Sequence, residues 1–215
     1  MTVLRPDYDD DPGRSRSHVV PFDAHDVVGP ELRGPVLDVG CGLGRLAGAL
    51  ADGVTWIGLD RSYAQLADNP HRPLVRADMT ALPFRDGSFA EVTHLWCLYH
   101  LERPQDAIAE ARRVLTDGGR YYASAAARDS DPELVPEGYP ATTFDAEDAA
   151  EVVAAVFGET EAERWDGPFW PLSTPEEVRS FCRSHVIAPE RAEGVELPLW
   201  LTKRGVLVRA RKATT

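Results

Sequence analysis

The sequence predicts an α/β protein with a doubly wound, Rossmann-like, mostly parallel sheet that carries helices on both faces. Apolar runs of strand length alternate with helical patterns from Pro35 to Ala127. The run VLDVGCGLGRLAGAL, residues 36–50, joins a strand to a helix through glycines at 40, 42 and 44. Such alternation is typical of parallel sheets, because a crossover helix must return the chain between neighbouring parallel strands.

The elements follow in order along the chain. The predicted strands up to residue 127 are PVLDV, VTWIGLD, PLVRAD, FAEVTHLW and RYYASAAA, and the predicted helices are LGRLAGALA, SYAQLADN and PQDAIAEARRVL. Pro104 favours the start of the third helix, and Gly118-Gly119 favours its end. Beyond residue 127 we predict a loop over 128–143, helices in FDAEDAAEVVAAVFG and TPEEVRSFCRSH, and strands in ETEAERWDG and LTKRGVLVRARK. Thr174 is the predicted cap of the second of these helices.

The length of 215 residues predicts a single domain. We divide it into an arm over 1–33, a core with the glycine loop over 34–127, substrate-side helices and loops over 128–200, and a last strand over 201–215. No apolar window approaches the length of a membrane span, and the amino terminus is polar, so we expect a cytoplasmic protein with no membrane partner. The three widely spaced cysteines predict reduced thiols and no metal site.

The charge distribution bears on possible partners. The formal net charge is −12, and residues 131–166 hold eleven carboxylates against the single Arg164. A polyanion would be repelled by this segment, so nucleic acid is a disfavoured partner.

The glycine loop does not match the common phosphate-binding patterns. A dinucleotide fingerprint needs glycine at position 45, which is Arg45, and no lysine occurs before Lys203 to complete a phosphate loop. Glycines without side chains let a ligand approach the backbone, and we expect the loop to present free N–H groups. The carboxylate of Asp38 would repel a diphosphate and attract an ammonium or sulfonium group. The loop therefore predicts a ligand that carries a cation.

Two further acidic residues follow predicted strands. Asp60 lies twenty residues beyond Gly40, where a carboxylate can accept hydrogen bonds from both hydroxyls of a ribose. Asp78, followed by Met79, can accept a bond from the amino group of an adenine whose face packs on the methionine. The strand ends together offer partners for an amino acid, a ribose and a base.

Four segments together resemble the class I S-adenosylmethionine-dependent methyltransferases, in particular the branch of small-molecule and ubiquinone-biosynthesis-like enzymes: VLDVGCGLGRL, GLDRS, ADMTALPFRDGSFAEVTHLWCLYHL and AIAEARRVLTDGGRYYAS. The resemblance covers about residues 34–126. It implies a seven-stranded sheet whose last strand, GVLVRAR, is antiparallel. It also implies S-adenosyl-L-methionine as the cofactor, bound by Asp38, Gly40, Cys41, Gly42, Gly44, Asp60, Arg61, Asp78, Met79 and Trp96.

Methyl transfer needs mainly an acceptor atom held in line with the methyl group. His100, after the fourth predicted strand, is our candidate for the base that takes the acceptor's proton, and a structural role is the alternative. His94 lies on the strand itself, where we expect a buried core histidine whose ring nitrogens have hydrogen-bond partners. The predicted acceptor pocket is aromatic and is formed by Tyr99, Tyr8, His18, Phe22, Trp165, Phe169 and Trp170. These residues predict a partly apolar small-molecule acceptor.

The leading hypothesis is methyl transfer to oxygen or nitrogen of a small metabolite, for example in secondary metabolism. The alternatives are a methyltransferase acting on RNA or protein, a non-catalytic protein that binds the same cofactor, and a nicotinamide dehydrogenase of similar fold. The intact set of glycines and carboxylates disfavours the non-catalytic alternative, and the glycine spacing disfavours the dehydrogenase.

Overall fold

The computed structural model describes Asp9 and residues 24–138 and 141–214. Within these residues the strands are β1 (Val36–Val39), β2 (Trp56–Asp60), β3 (Leu74–Arg76), β4 (Phe89–Leu95), β5 (Leu115–Ala126), β6 (Thr160–Leu172) and β7 (Leu199–Arg211). They form one sheet in the order β3-β2-β1-β4-β5-β7-β6. Strands β1 to β5 are parallel, and β7 is antiparallel to both β5 and β6. The predicted seven-stranded sheet with an antiparallel last strand is confirmed.

The helices cover both faces of this sheet. They are α1 (Ala24–Val28), α2 (Arg45–Ala49), α3 (Tyr63–Asp68), α4 (Pro104–Val114), α5 (Ala149–Phe157) and α6 (Pro175–Ser184), and short 3-10 turns lie at Gly29–Glu31, Leu98–His100 and Pro189–Ala192. Buried residues of α1, α2 and α3 pack on one face, and those of α4 and α5 pack on the other. The doubly wound arrangement is therefore confirmed. Among the described helices, none is long and apolar enough to span a membrane.

Two predicted helix ends lie elsewhere in the structure. Helix α4 ends at Val114, and Leu115 is already extended and pairs with Phe89 of β4. Gly118 and Gly119 instead join β5 to the end of β7, through hydrogen bonds with Lys212 of 2.9 Å in each direction. Helix α5 starts at Ala149 rather than at Phe144, because residues 144–146 are packed into the core as irregular chain.

The hairpin of β6 and β7 extends beyond the carboxyl edge of the parallel strands. Ala126, the last residue of β5, pairs with Gly205, so residues 199–204 of β7 and their partners on β6 continue past that edge. This extension carries a small separate core built with helix α6, formed by Leu134, Leu172, Val178, Phe181, Cys182, Ile187 and Leu201. Helix α6 begins with Thr174 as its cap, as predicted, and Glu177 completes a capping box with it. Residues 199–204 and their partners on β6 thus lie beyond the carboxyl edge, at which α/β sheets bind ligands.

A buried charge stabilises the opposite edge of the sheet. Glu91, near the start of β4 and 2% exposed, accepts hydrogen bonds from the backbone N–H groups of Arg33 (2.9 Å) and Gly34 (3.0 Å). It also forms a close ion pair with Arg120 of β5. These contacts join the chain entering β1 to the middle of the sheet.

Candidate functional site

The glycine loop between β1 and α2 turns through three left-handed residues. The φ angles are +74° at Gly40, +47° at Gly42 and +81° at Gly44. A Cβ atom at Gly40 would lie 2.6 Å from the Cβ of Cys97, which follows β4. Glycine is therefore required at position 40 both by the backbone conformation and by the approach of the neighbouring strand.

The loop uses its N–H groups internally, which corrects the expectation of free donors. Gly40 and Cys41 both donate to the carbonyl oxygen of Leu59, at 2.7 and 3.0 Å. Gly42 donates to Oδ2 of Asp60 at 2.9 Å, and Gly44 donates to the carbonyl oxygen of Cys41 at 2.8 Å. Three of these four groups donate to β2 and the fourth donates within the loop, so these four N–H groups do not form a cradle of amide donors for phosphate.

Asp60 ends β2 directly beside the loop, as predicted. Besides the bond from Gly42, its Oδ1 accepts the N–H of Ser62 at 2.9 Å. These two bonds fix the glycine loop and the start of α3 to the end of β2.

Asp38 lies within the sheet at the base of the loop and is 2% exposed. Its Oδ1 accepts the hydroxyl of Thr93 at 2.9 Å, and its Oδ2 lies 3.4 Å from Nε1 of Trp56. Burial raises the pKa of Asp38 to about 6, against the opposing effects of the His25 charge and of these two hydrogen bonds. A cation held nearby would favour the ionised form, so this carboxylate is suited to act on a cationic group at short range.

Asp78 follows β3 and is exposed, while Met79 packs partly against the main core. Thr80 donates both its N–H (2.8 Å) and its hydroxyl (2.7 Å) to Oδ1 of Asp78, and these bonds hold the pKa of Asp78 below its ordinary value. Ala77 donates to the carbonyl oxygen of Asp60, which brings the two strand ends together. Arg61 is exposed at the same edge.

Trp96 directly follows β4 and has a strained conformation. Its φ is +59°, which is rare for a bulky side chain and is typical of functional sites when it occurs. Its N–H lies 3.2 Å from Oγ of Ser124 on β5. Its indole packs edge to face on Trp165 of β6, with ring centroids 5.8 Å apart. The extended hairpin therefore contacts the centre of the carboxyl edge through these two rings.

The two histidines differ in environment. His100 lies on the 3-10 turn after β4, half-buried, with its ring 4.6 Å from that of Tyr99. His94 is fully buried, and Nδ1 lies 2.9 Å from the hydroxyl of Tyr121. Its Nε2 has no hydrogen-bond partner among the described residues. His94 is therefore a core residue, as predicted, but only one of its two ring nitrogens has a partner. Burial lowers the pKa of His94 to about 3, which keeps the ring neutral.

The remaining predicted site residues are placed as follows. The thiol of Cys41 is buried in the core, where Sγ lies 3.9 Å from the carbonyl oxygen of Gly42 and 3.8 Å from Nδ2 of Asn69. Tyr99 is half-buried against the main core. Phe169 and Trp170 lie on β6, in the hairpin extension, and their side chains are not described. Tyr8, His18 and Phe22 lie outside the described residues. Within the described part of the chain no group of acidic, histidine and cysteine side chains could hold a metal ion.

Three residues at the loop were missed from the sequence: Trp56, Thr93 and Asn69. Trp56 and Thr93 hold Asp38 from the two strands beside it, and only the strand register reveals that. Asn69 ends helix α3 and donates its side-chain amide to the carbonyl oxygen of Gly42 at 2.9 Å. An asparagine before Pro70 at the end of a helical pattern is a termination signal, but it does not indicate a contact with the loop.

An open, mostly parallel sheet with a glycine turn after β1 and acidic residues at or near the carboxyl ends of β1, β2 and β3 is an arrangement typical of nucleotide-binding α/β domains. Residues 37–123 match a family model described as a methyltransferase domain. This match confirms the resemblance of the chain to the class I S-adenosylmethionine-dependent methyltransferases.

Two curated relatives and one solved structure illustrate this similarity. A demethylmenaquinone methyltransferase of Renibacterium salmoninarum is 37% identical over 100 residues, which span 44% of this chain and 42% of the relative. A malonyl-[acyl-carrier protein] O-methyltransferase of Geobacter sulfurreducens is 41% identical over 96 residues, 40% of this chain and 36% of the relative. The matched part of the chain thus spans less than half the length of either relative.

The solved structure is a phosphoethanolamine N-methyltransferase of Haemonchus contortus in complex with phosphomonomethylethanolamine and S-adenosylhomocysteine. It superposes with a TM-score of 0.60 at 16% identity, covering 91% of this chain and 54% of that one. At this identity the likeness shows the fold alone.

Proposed function

We propose that this chain transfers a methyl group from S-adenosylmethionine to an oxygen or nitrogen atom of a small metabolite. The observation that carries the proposal is the composition of the glycine loop. Four of its N–H groups bond within the protein, and the groups beside it are the carboxylates of Asp38 and Asp60. This arrangement favours a cationic nucleoside over a dinucleotide phosphate.

The residues of the chain fit this cofactor in three places. Asp38 would act on the methionine ammonium and sulfonium charges, Asp60 would accept the ribose hydroxyls, and Asp78 with Met79 would bind the adenine. Gly40 has no side chain, so Cys97 packs directly against the loop at this position. When bound, the cofactor supplies an electrophilic methyl group, so the protein has mainly to orient the acceptor and exclude water.

The acceptor would bind between the carboxyl edge of the sheet and the extended hairpin. Trp96 and Trp165 are half-buried against the core on the α1–α3 face, and Tyr99 is half-buried against the core on the α4–α5 face. Partly exposed aromatic residues of this kind would suit an apolar or aromatic acceptor. His100 would take a proton from a hydroxyl acceptor; an amine acceptor that is already neutral needs no such base. The three compared proteins carry different acceptors in their names, and the family match ends at residue 123, so it leaves out the hairpin side of the proposed acceptor site, including Trp165.

The first test is isothermal titration of the purified chain with S-adenosylmethionine and, in parallel, with NADH. We expect micromolar binding of the first and no heat from the second, because the loop offers acceptors rather than phosphate donors. Binding of NADH alone would contradict the proposal. A screen of hydroxyl- and amine-bearing aromatic compounds with radiolabelled cofactor then tests methyl transfer itself, and transfer to tRNA or protein only would overturn the small-molecule acceptor.

The affinity for S-adenosylmethionine is expected to fall as the pH is lowered. The cation favours ionised Asp38, whose pKa in the free protein is about 6. Above this pH the carboxylate is already charged and affinity is constant; below it, binding must expel a proton, and affinity falls by up to about tenfold per pH unit. Titrations between pH 5 and 7.5 measure this profile. The Asp38→Asn variant should bind weakly with a flat profile, whereas an equal slope in both proteins would assign the effect to another group.

A further inference from the structure

We propose that Asn69 is a positioning residue that holds the glycine loop in the conformation that binds the cofactor. This inference rests on the proposed function, since it concerns the same cofactor site. Asn69 is the single asparagine of the chain and is 2% exposed. It lies 27 residues beyond Gly42, at the end of helix α3 and before β3.

The side-chain amide of Asn69 is used at both of its ends. Nδ2 donates to the carbonyl oxygen of Gly42 at 2.9 Å, and Oδ1 accepts the N–H of His71 at 2.9 Å. Its main-chain N–H donates to Gln65 at 3.1 Å, and its carbonyl oxygen accepts from the Arg72 guanidinium at 2.6 Å. The side chain is therefore held in one orientation by the segment on which it lies.

The consequence for the loop is that the middle glycine is fixed from two sides. Asp60 accepts the N–H of Gly42, and Asn69 donates to its carbonyl oxygen, so both peptide groups flanking this left-handed residue are fixed. A flexible glycine loop would otherwise lose conformational entropy on binding a ligand. Fixing the loop in advance raises affinity by removing that loss.

The fit around Asn69 is close enough to exclude near substitutes. A Cβ atom at Gly44 would lie 2.5 Å from Oδ1 of Asn69 and 2.8 Å from Cδ2 of His71, so the amide fills the space above the last glycine. Glutamine is one methylene longer and has no room here. Aspartate has the right shape, but it replaces the donor to Gly42 with an oxygen facing another oxygen. Aspartate is therefore the most informative single replacement, because it keeps the shape of the side chain and removes the hydrogen bond to Gly42.

A residue that only terminates helix α3 would affect stability and leave binding unchanged. The test compares Asn69→Asp and Asn69→Ala with a control that is equally buried but distant, Ser184→Ala, whose hydroxyl donates to the carbonyl oxygen of Phe181 at 2.8 Å. We expect both Asn69 variants to bind S-adenosylmethionine about 10- to 100-fold more weakly, from the loss of a buried hydrogen bond that preorganises the loop. The control should bind like the parent, with a comparable fall in melting temperature.

A second measurement uses the parent protein, so it does not depend on the variants folding. In protein labelled with [15N]asparagine, the single asparagine gives one side-chain amide pair in the NMR spectrum. Saturation with S-adenosylhomocysteine should shift this pair and slow its hydrogen exchange. An unchanged pair at saturation, or variants that bind within twofold of the parent, would overturn the role of Asn69 while leaving the proposed function intact. A parent protein that binds neither compound would instead refute the proposed function.

Discussion

Replacing Asp60 with alanine is expected to weaken binding of S-adenosylmethionine by about 100-fold or more. The substitution removes the acceptor of the Gly42 and Ser62 N–H groups, which hold the loop at 2.9 Å each. It also removes the carboxylate proposed to accept the ribose hydroxyls, and a hydrogen bond to a charged group contributes about 1.5–3 kcal/mol. Isothermal titration of the parent and the variant measures the difference directly.

The matched control for Asp60 is Asp52→Ala, which removes an exposed carboxylate between α2 and β2, away from the carboxyl edge. This variant should bind like the parent, which separates the effect of position from that of net charge. Asp60→Asn is informative in addition, since its amide keeps the shape and one acceptor. Binding by Asp60→Ala within threefold of the parent would contradict both the contact with the cofactor and the contribution of the loop bonds to affinity.

The largest expected effect on stability comes from Glu91. Changing it to alanine leaves the N–H groups of Arg33 and Gly34 without their acceptor and leaves Arg120 without its buried partner. Breaking a buried ion pair costs about 3–5 kcal/mol, and we expect about 3 kcal/mol here because the Arg120 side chain is 28% exposed and partly screened. For a domain of this size that corresponds to a melting temperature lower by about 6–12 °C.

Glu163→Ala is the control for Glu91. Glu163 is an exposed partner of Arg209, which also pairs with Glu31, and its loss should change stability by less than about 1 kcal/mol. Urea unfolding of the three proteins gives the free energies, and the slopes reveal whether the unfolded states are comparable. Equal stability of the two variants would contradict the importance of the buried network. Glu91 lies at the edge opposite the glycine loop, so folded Glu91→Ala protein should retain cofactor affinity.

The local features of the sequence that predict the fold depend on near neighbours in the chain. The glycines at 40, 42 and 44 have left-handed conformations that follow from a tight turn between strand and helix. The capping box of α6 forms between residues three apart. Such features can be predicted from the sequence because the interacting residues are near neighbours in the chain. The confirmed order of strands and helices rests on the same kind of information.

The errors arise where distant segments compete with local preference. Gly118-Gly119 is a reasonable helix end, yet the chain becomes extended at Leu115 because pairing with β4 begins there. The donors of the glycine loop were expected to be free, but β2 lies near enough to accept them. In both cases hydrogen bonds between strands decided the outcome, and they depend on register.

The sequence by itself therefore determined the fold class, the glycine turn and the acidic residues at the ends of three strands, because these follow from periodicity and short-range geometry. The tertiary structure alone decided how those residues are used: that Asp60 holds the loop, that Asn69 fixes it from 27 residues away, and that Trp165 reaches Trp96. The physical reason is that each of these contacts joins elements brought together only by the packing and register of the sheet, which no stretch of the chain encodes alone.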